Sequence, residues 1–261
     1  MRRSRLGLRA LALGYLAVLL LVPVGLVFWR TFEHGLGPVW NSITTPAAIH
    51  AFWLTVEVAA IAVPLNAIFG VVAALTIVRG RFPGKTLLDA LIDLPFAVSP
   101  IVVGLALILI YGRGGWLAGL PFQVIFAVPG IVLATVFVSL PFVAREVEPV
   151  LREIGDEQEQ AAATLGASRW QTFWRVTLPS IRWGLTYGVV LATARAIGEF
   201  GAVSVVSGKI AGQTETLTLL VEKRFENFDV AGAYAASALL AVIALVTLLA
   251  MTRVNSRRSH G

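Results

Sequence analysis

Six stretches of this chain run for membrane-spanning length with almost no charge, and no other feature restricts its fold as strongly. Ala10–Trp29 lies between Arg9 and Arg30, Val58–Val78 between Glu57 and Arg79, and Leu94–Gly112 between Asp93 and Arg113. Gly114–Ala144 is uncharged throughout, and Pro121 and Pro129 predict a loop followed by a span from about Val124. Trp183–Gly208 is long and apolar but carries Arg195 and Glu199, and Val230–Thr252 is uncharged. A helix needs about 20 apolar residues to cross the hydrocarbon core. In lipid, the backbone of such a run must pair its own N–H and C=O groups, which favours helix. The expected fold is an all-α membrane protein with six transmembrane helices over residues 10–252, flanked by tails 1–9 and 253–261.

Composition agrees and removes several function classes. Of 261 residues, 57% are apolar and 14% charged, against about 45–50% and 25% in a soluble domain. There is no cysteine, which excludes a disulfide framework and thiolate chemistry. His34, His50 and His260 lie far apart, each near a segment end, so no metal site and no catalytic residue is expected. The first apolar run follows a basic Met1–Arg9, as a signal peptide would. It exceeds the usual h-region and ends in FWRTF without a small-residue cleavage site, so a retained span is expected.

The net charge of +6 raises nucleic acid as a partner, but the basic residues are distributed over short loops between spans. That distribution is a topology signal. With the N-terminus inside, the inner segments hold Arg2, Arg3, Arg5, Arg9, Arg79, Arg81, Lys85, Arg145, Arg152, Arg169, Arg175, Arg182, Arg253, Arg257 and Arg258. The outer segments hold Arg30, Arg113, Lys209, Lys223 and Arg224. Both termini are therefore expected in the cytoplasm, the lipid bilayer is the solvent, and nucleic acid is excluded. The outer segment Ser207–Asp229 mixes charge with Leu217, Leu219, Leu220 and Phe225, which predicts a small structured element rather than a loose loop.

The largest inner loop, about 145–182, contains EQEQAAATLGASRWQTFWRVTLPS over Glu157–Ser180. Glu157–Leu165 favours helix, and Gly166 stands where a left-handed C-terminal cap belongs. Ser168 and Gln171 form an S-x-x-Q capping box that starts a second helix. Trp170, Phe173, Trp174 and Leu178 make one apolar face of it, and Pro179 is expected to end it. From periodicity alone, an interfacial amphipathic helix joining two spans explains this stretch better than a docking element does.

A more specific pattern overlies it: Ala161-Ala162, three residues, Gly166, nine residues, then Val176-x-Leu178-Pro179. This resembles the EAA loop of bacterial ABC importer permeases. The resemblance implies a type I importer permease fold with a cytoplasmic coupling helix that seats in a separate ATP-hydrolysing subunit. It assigns ATPase coupling to Glu159, Gln160, Ala161, Ala162, Gly166, Ala167 and Pro179. One departure is visible. Gln160 occupies the family's Glu position, and Glu159 precedes it, which puts in doubt an ion pair carried by that position.

The other informative stretch is Arg195-Ala-Ile-Gly-Glu199-Phe-Gly201. Arg195 and Glu199 are four apart and can meet on one helix face. A charge inside a span costs about 2.5–3.5 kcal/mol on insertion scales, so both should face protein or water. Arg195 could attract an oxyanion, or the two could be a self-neutralising packing pair. ARAIGEFGAVSVVSG, together with LIDLPFAVSPIVVGL over Leu91–Leu105, resembles the sulfate and molybdate branch of these permeases, its W-type subunits most of all. Pro95 and Pro100 should kink the third span, and Ser99 and Pro100 join Arg195 and Glu199 as a candidate anion path.

The resemblance covers about Phe52 to Leu248 and implies partners that composition does not show. They are a T-type sulfate permease subunit in a heterodimer, an ATP-binding subunit dimer that uses ATP and Mg, and an extracytoplasmic sulfate/thiosulfate-binding protein. The sequence has no GxxxxGK[ST] phosphate loop, so the chain is expected to bind no cofactor and to catalyse no covalent step. The implied location is the bacterial inner membrane. A molybdate or tungstate permease is the alternative within the class; an ATP-independent anion channel or secondary transporter is the alternative outside it.

Overall fold

The structure is a computed structural model that describes residues 2–33 and 35–256. His34, Arg257, Arg258 and His260 lie outside the described residues. Every regular element among the described residues is helical: α1 (Arg2–Phe32), α2 (Leu36–Ile43), α3 (Pro46–Arg79), α4 (Lys85–Ala97), α5 (Pro100–Tyr111), α6 (Val128–Glu153), α7 (Glu157–Thr164), α8 (Arg169–Thr172), α9 (Leu178–Ile197), α10 (Gly201–Val206), α11 (Leu217–Glu226) and α12 (Val230–Ser256). A π-helical turn, Phe173–Thr177, joins α8 to α9. Helix α1 runs through the expected N-terminal tail without a break.

Among the described residues, four helices are long and apolar enough to cross a membrane: Leu11–Phe32 of α1, α3, α6 and Val230–Thr247 of α12. The other two expected spans are broken, for different reasons. The third is divided into α4 and α5, which meet at 111°. Pro100 supplies no N–H and disfavours helical geometry at Ser99, which stays extended at φ −59°, ψ 133°. The fifth is divided into α9 and α10. Helix α9 stops at Ile197, and Glu199 accepts a 2.8 Å hydrogen bond from the Ala202 N–H to open α10. With Arg182 and Arg195 along it, α9 does not reach the apolarity of the other four.

The centre of the fold is the packing of α3, α6 and α9. Val71, Ala74, Val143, Val147, Leu151, Ile181 and Ala192 form one buried cluster across these three helices. In lipid, helices associate through close backbone approach more than through a hydrophobic drive, so small residues belong at the crossings. Gly184 and Gly188 form a G-x-x-x-G face on α9. A Cβ at Gly184 would lie 2.6 Å from the Glu146 carbonyl, and one at Gly188 would lie 2.8 Å from Val143 Cα. Asn66, fully buried on α3, donates to the Val136 carbonyl at 3.1 Å and to Ser139 Oγ at 2.8 Å on α6.

The expected outer element is helix α11, with Leu217, Leu219 and Leu220 buried and Phe225 exposed. Its Arg224 is buried and donates to the carbonyls of Ser42 and Gly232, fastening α11 to the ends of α2 and α12. On the other side of the fold, Arg145 bridges α6 to Asp89 and Asp93 of α4, at 2.8 and 2.6 Å.

Candidate functional site

The helix–glycine–helix loop folds as its local chemistry dictates. Helix α7 ends with Gly166 at φ +84°, a conformation that an L side chain rarely adopts. The Gly166 N–H bonds the Ala163 carbonyl and the Ala167 N–H bonds the Ala162 carbonyl, both at 3.0 Å. That pattern is a Schellman cap. Ser168 then closes a complete capping box: Gln171 N–H donates to Ser168 Oγ at 3.3 Å, and Ser168 N–H donates to Gln171 Oε1 at 2.9 Å. Two helix ends back to back make a rigid elbow of few residues.

The elbow points away from the core. Gln160, Ala161 and Gly166 are exposed, Ala162 and Ala167 are half-buried, and Leu165 at the tip is 89% exposed. Behind it, Trp170, Phe173 and Trp174 pack on one another with ring centroids 5.3–6.2 Å apart. Phe173 and Leu178 reach the α3–α6–α9 core, whereas Trp170 and Trp174 remain 69% and 50% exposed.

Pro179 does not end the second helix, contrary to expectation. It sits in the first turn of α9, and the chain stays helical from Arg169 to Ile197. The π turn explains this. Leu178 N–H bonds back to the Phe173 carbonyl, one residue further than in an α-helix. The wider turn makes room for a proline ring that would otherwise meet the carbonyl four residues earlier.

Glu159 carries the ion pair that Gln160 cannot. Its Oε2 lies 3.1 Å from Arg79 Nε, and its Oε1 accepts from Thr177 Oγ1 at 2.8 Å. Arg79 also donates to the Leu151 carbonyl at 3.2 Å and to the Gly155 carbonyl at 2.5 Å. Sequence reasoning placed Arg79 only at the end of a span and did not connect it to the loop. Its one available sign was an opposite charge at the inner end of another segment.

In the fifth span, Arg195 and Glu199 do meet. Arg195 Nη1 lies 2.6 Å from Glu199 Oε2, a charge contact without the alignment of a hydrogen bond. The two side chains differ in environment, at 30% exposed for Arg195 and 2% for Glu199. The pair straddles the helix break, with Arg195 in the last turn of α9 and Glu199 beyond its end. Glu199 lines a cavity with Thr55, Thr135 and Thr216 that has room for about one water. Pro100 is brought close to this break. A Cβ on Gly201 would lie 2.9 Å from Pro100 Cβ, and one on Gly104 would lie 2.8 Å from the Ala202 carbonyl. Ser99, beside the half-buried Pro100, is exposed and makes no capping bond.

Membrane-length helices packed about a common centre, with one exposed, capped elbow fastened to it, define the architecture. The same fold occurs in a bacterial ABC transporter that imports the acidic polysaccharide alginate. That structure matches with a TM-score of 0.79 at 16% identity, over 98% of this chain and 97% of the other. A second alginate transporter structure, in complex with a pentasaccharide-bound periplasmic protein, matches with a TM-score of 0.77 at 17% identity, over 98% and 96%.

The chain belongs to the family of binding-protein-dependent transport system inner membrane components, which matches residues 66–260. It is 51% identical to the sulfate transport system permease protein CysW of Synechocystis, over 96% of this chain and 92% of that protein. It is 49% identical to CysW of Escherichia coli K12, over 92% and 84%. It is 40% identical to the permease protein CysT of Escherichia coli K12, over 95% and 90%.

Proposed function

We propose that this chain is the W-type permease subunit of an ATP-driven importer of sulfate and thiosulfate. One observation carries the reading: about half of all positions, along nearly the full chain, are shared with sulfate permeases of the W type. Identity to the T-type protein is lower, which supports a heterodimer in which this chain takes the W position. The other partners are an ATP-binding subunit dimer and an extracytoplasmic binding protein. The chain sits in the inner membrane with both termini in the cytoplasm.

The elbow is where force enters. Closure of the ATP-binding dimer moves α7 and its tip, and the packed helices turn with it as rigid bodies. Glu159, Gln160, Ala161, Ala162, Gly166 and Ala167 form or position this contact. Pro179 acts indirectly by setting the π turn. The binding protein delivers the anion near α11. Arg195, Glu199, Ser99 and Pro100, gathered at the breaks in the third and fifth spans, border its route. The Arg195 guanidinium is partly open while Glu199 is turned into the core, so an anion approaching the break meets the cation first.

The test is reconstitution of the two permeases and the ATP-binding subunits in vesicles, with the binding protein added outside. ATP-dependent uptake of radiolabelled sulfate is expected. Uptake of molybdate in preference to sulfate would reassign the substrate, and anion flux without ATP would reassign the class. In the same vesicles Gly166→Leu forces a side chain into left-handed geometry at the tip of the elbow, at about 1–2 kcal/mol. The variant should insert normally and lose uptake; normal uptake would remove the elbow from the mechanism.

A further inference from the structure

We infer that Arg79 is the positioning residue that makes the elbow and the membrane core move as one body. This rests on the import reading above and identifies where its force is transmitted. Three helices meet at one guanidinium, and a fourth element is reached through Glu159. Arg79 is the last residue of α3, and it donates to Leu151 within the last turn of α6 and to Gly155 just after it. Its Nε faces Glu159 of α7. Glu159 is held from the other side by the hydroxyl of Thr177, which is 4% exposed and lies in the π turn leading into α9.

The need for such a joint is visible in the backbone. Between α6 and α7 there are only three residues, Ile154–Asp156, and Gly155 among them sits at φ +64°. A glycine in that region is a natural hinge, since it can leave the conformation at little steric cost. Helix α7 has no buried residue and no side-chain bond at its N-cap, so packing does not hold it. Without the guanidinium, a push on α7 would still reach α9 through the elbow, but rotation at Gly155 would take it up before it reached α3 and α6. With it, α7 is tied to the ends of α3 and α6, while Thr177 ties Glu159 to the start of α9. These are the three helices that form the central crossing.

The geometry suits a guanidinium specifically. Nε and the two terminal nitrogens each serve a different acceptor, a division that a lysine ammonium on a flexible stem does not reproduce. Both charged side chains are about one-fifth exposed, at 23% and 22%, so the bond network is reachable by water and contributes modestly to stability. Its role is orientation.

The experiment has two arms on the complete importer. The chain contains no cysteine, so Gln158→Cys on α7 and Val72→Cys on α3, both exposed, take spin labels selectively. A narrow distance distribution between them is expected with Arg79. A broad one is expected with Arg79→Gln, and an intermediate one with Arg79→Lys. In the second arm, sulfate uptake and ATP hydrolysis are measured together. Arg79→Gln should lower sulfate transported per ATP at least fivefold, with the ATP-binding subunits still co-purifying. Glu159→Gln should act in the same direction.

An unchanged distance distribution in Arg79→Gln overturns the inference, whatever the substrate proves to be. So does an unchanged transport ratio, or a loss of ATP-binding subunits that explains the defect by assembly alone. If the wild-type complex imports no sulfate while the distribution still broadens in Arg79→Gln, the joint stands and the sulfate reading fails.

Discussion

Arg195 and Glu199 lie four residues apart at the end of one helix, and Arg79 and Glu159 lie 80 residues apart on two helices that meet only in the folded chain. Both are arginine–glutamate contacts, and both join a helix end to the core. In the first, Glu199 is 2% exposed and Arg195 is 30%; in the second, the two are matched at 22% and 23%. A buried carboxylate facing a half-open cation depends strongly on its partner, because removing the cation leaves an uncompensated charge in a low-dielectric surrounding. A pair in contact with water contributes about 0–1 kcal/mol. The first contact therefore bears on whether the fold stands, and the second on how one part of it moves another.

Arg195→Met alone should give the largest effect. Breaking a buried pair costs about 3–5 kcal/mol, and the partial exposure of Arg195 puts this site at the lower end. Thermal unfolding of the purified complex should shift down by several degrees. An unchanged midpoint would mean that Glu199 does not depend on Arg195, and the contrast with Arg79 would disappear. Arg195→Met combined with Glu199→Gln should recover most of that stability, because the lone carboxylate is gone and the amide oxygen can still accept from Ala202. The double variant isolates transport from folding. Sulfate uptake is expected to fall with the fold intact, and uptake at the wild-type rate would leave the pair a packing device.

Ser168→Ala removes one cap bond from the elbow, at about 1 kcal/mol. Hydrogen exchange should quicken at Gln171, whose N–H bonds the serine, and remain unchanged around Ala202. Exchange that rises at both places would show that the elbow and the break in the fifth span are one unit. Glu159→Gln should have the smallest effect on stability, below about 1 kcal/mol, despite its effect on transport. A large drop in melting temperature here would erase the distinction between the two pairs.

What was legible beforehand follows the same division. The uncharged runs, the glycine turn at Gly166, the Ser168–Gln171 box and the meeting of Arg195 with Glu199 all depend on residues close together in the chain. A helix places i and i+4 together wherever it sits. The bend at Ser99–Pro100 was legible for the same reason, because proline restricts its own φ and the residue before it. The π turn was not. Pro179 has the chemistry of a helix stop, and only the continuity of α8 with α9, anchored by Phe173 and Leu178 in the core, makes a widened turn the better solution. The break at Gly198–Phe200 was half legible, since the glycines permit an interruption, but the Glu199 bond to Ala202 that opens α10 is a feature of the folded chain.

The sequence by itself determined a helical membrane protein, its apolar runs, its capped elbow and its local ion pair, because each depends on residues a few positions apart in the chain. Tertiary structure alone decided which charge holds the elbow to the core. Gln160 stands where an acidic residue was expected and points outward, while Glu159 turns inward to Arg79 and Thr177. Rotation by one position around a helix is about 100°, and which side of α7 faces the protein is set by the ends of α3, α6 and the π turn against which it rests. No spacing within the loop encodes that direction.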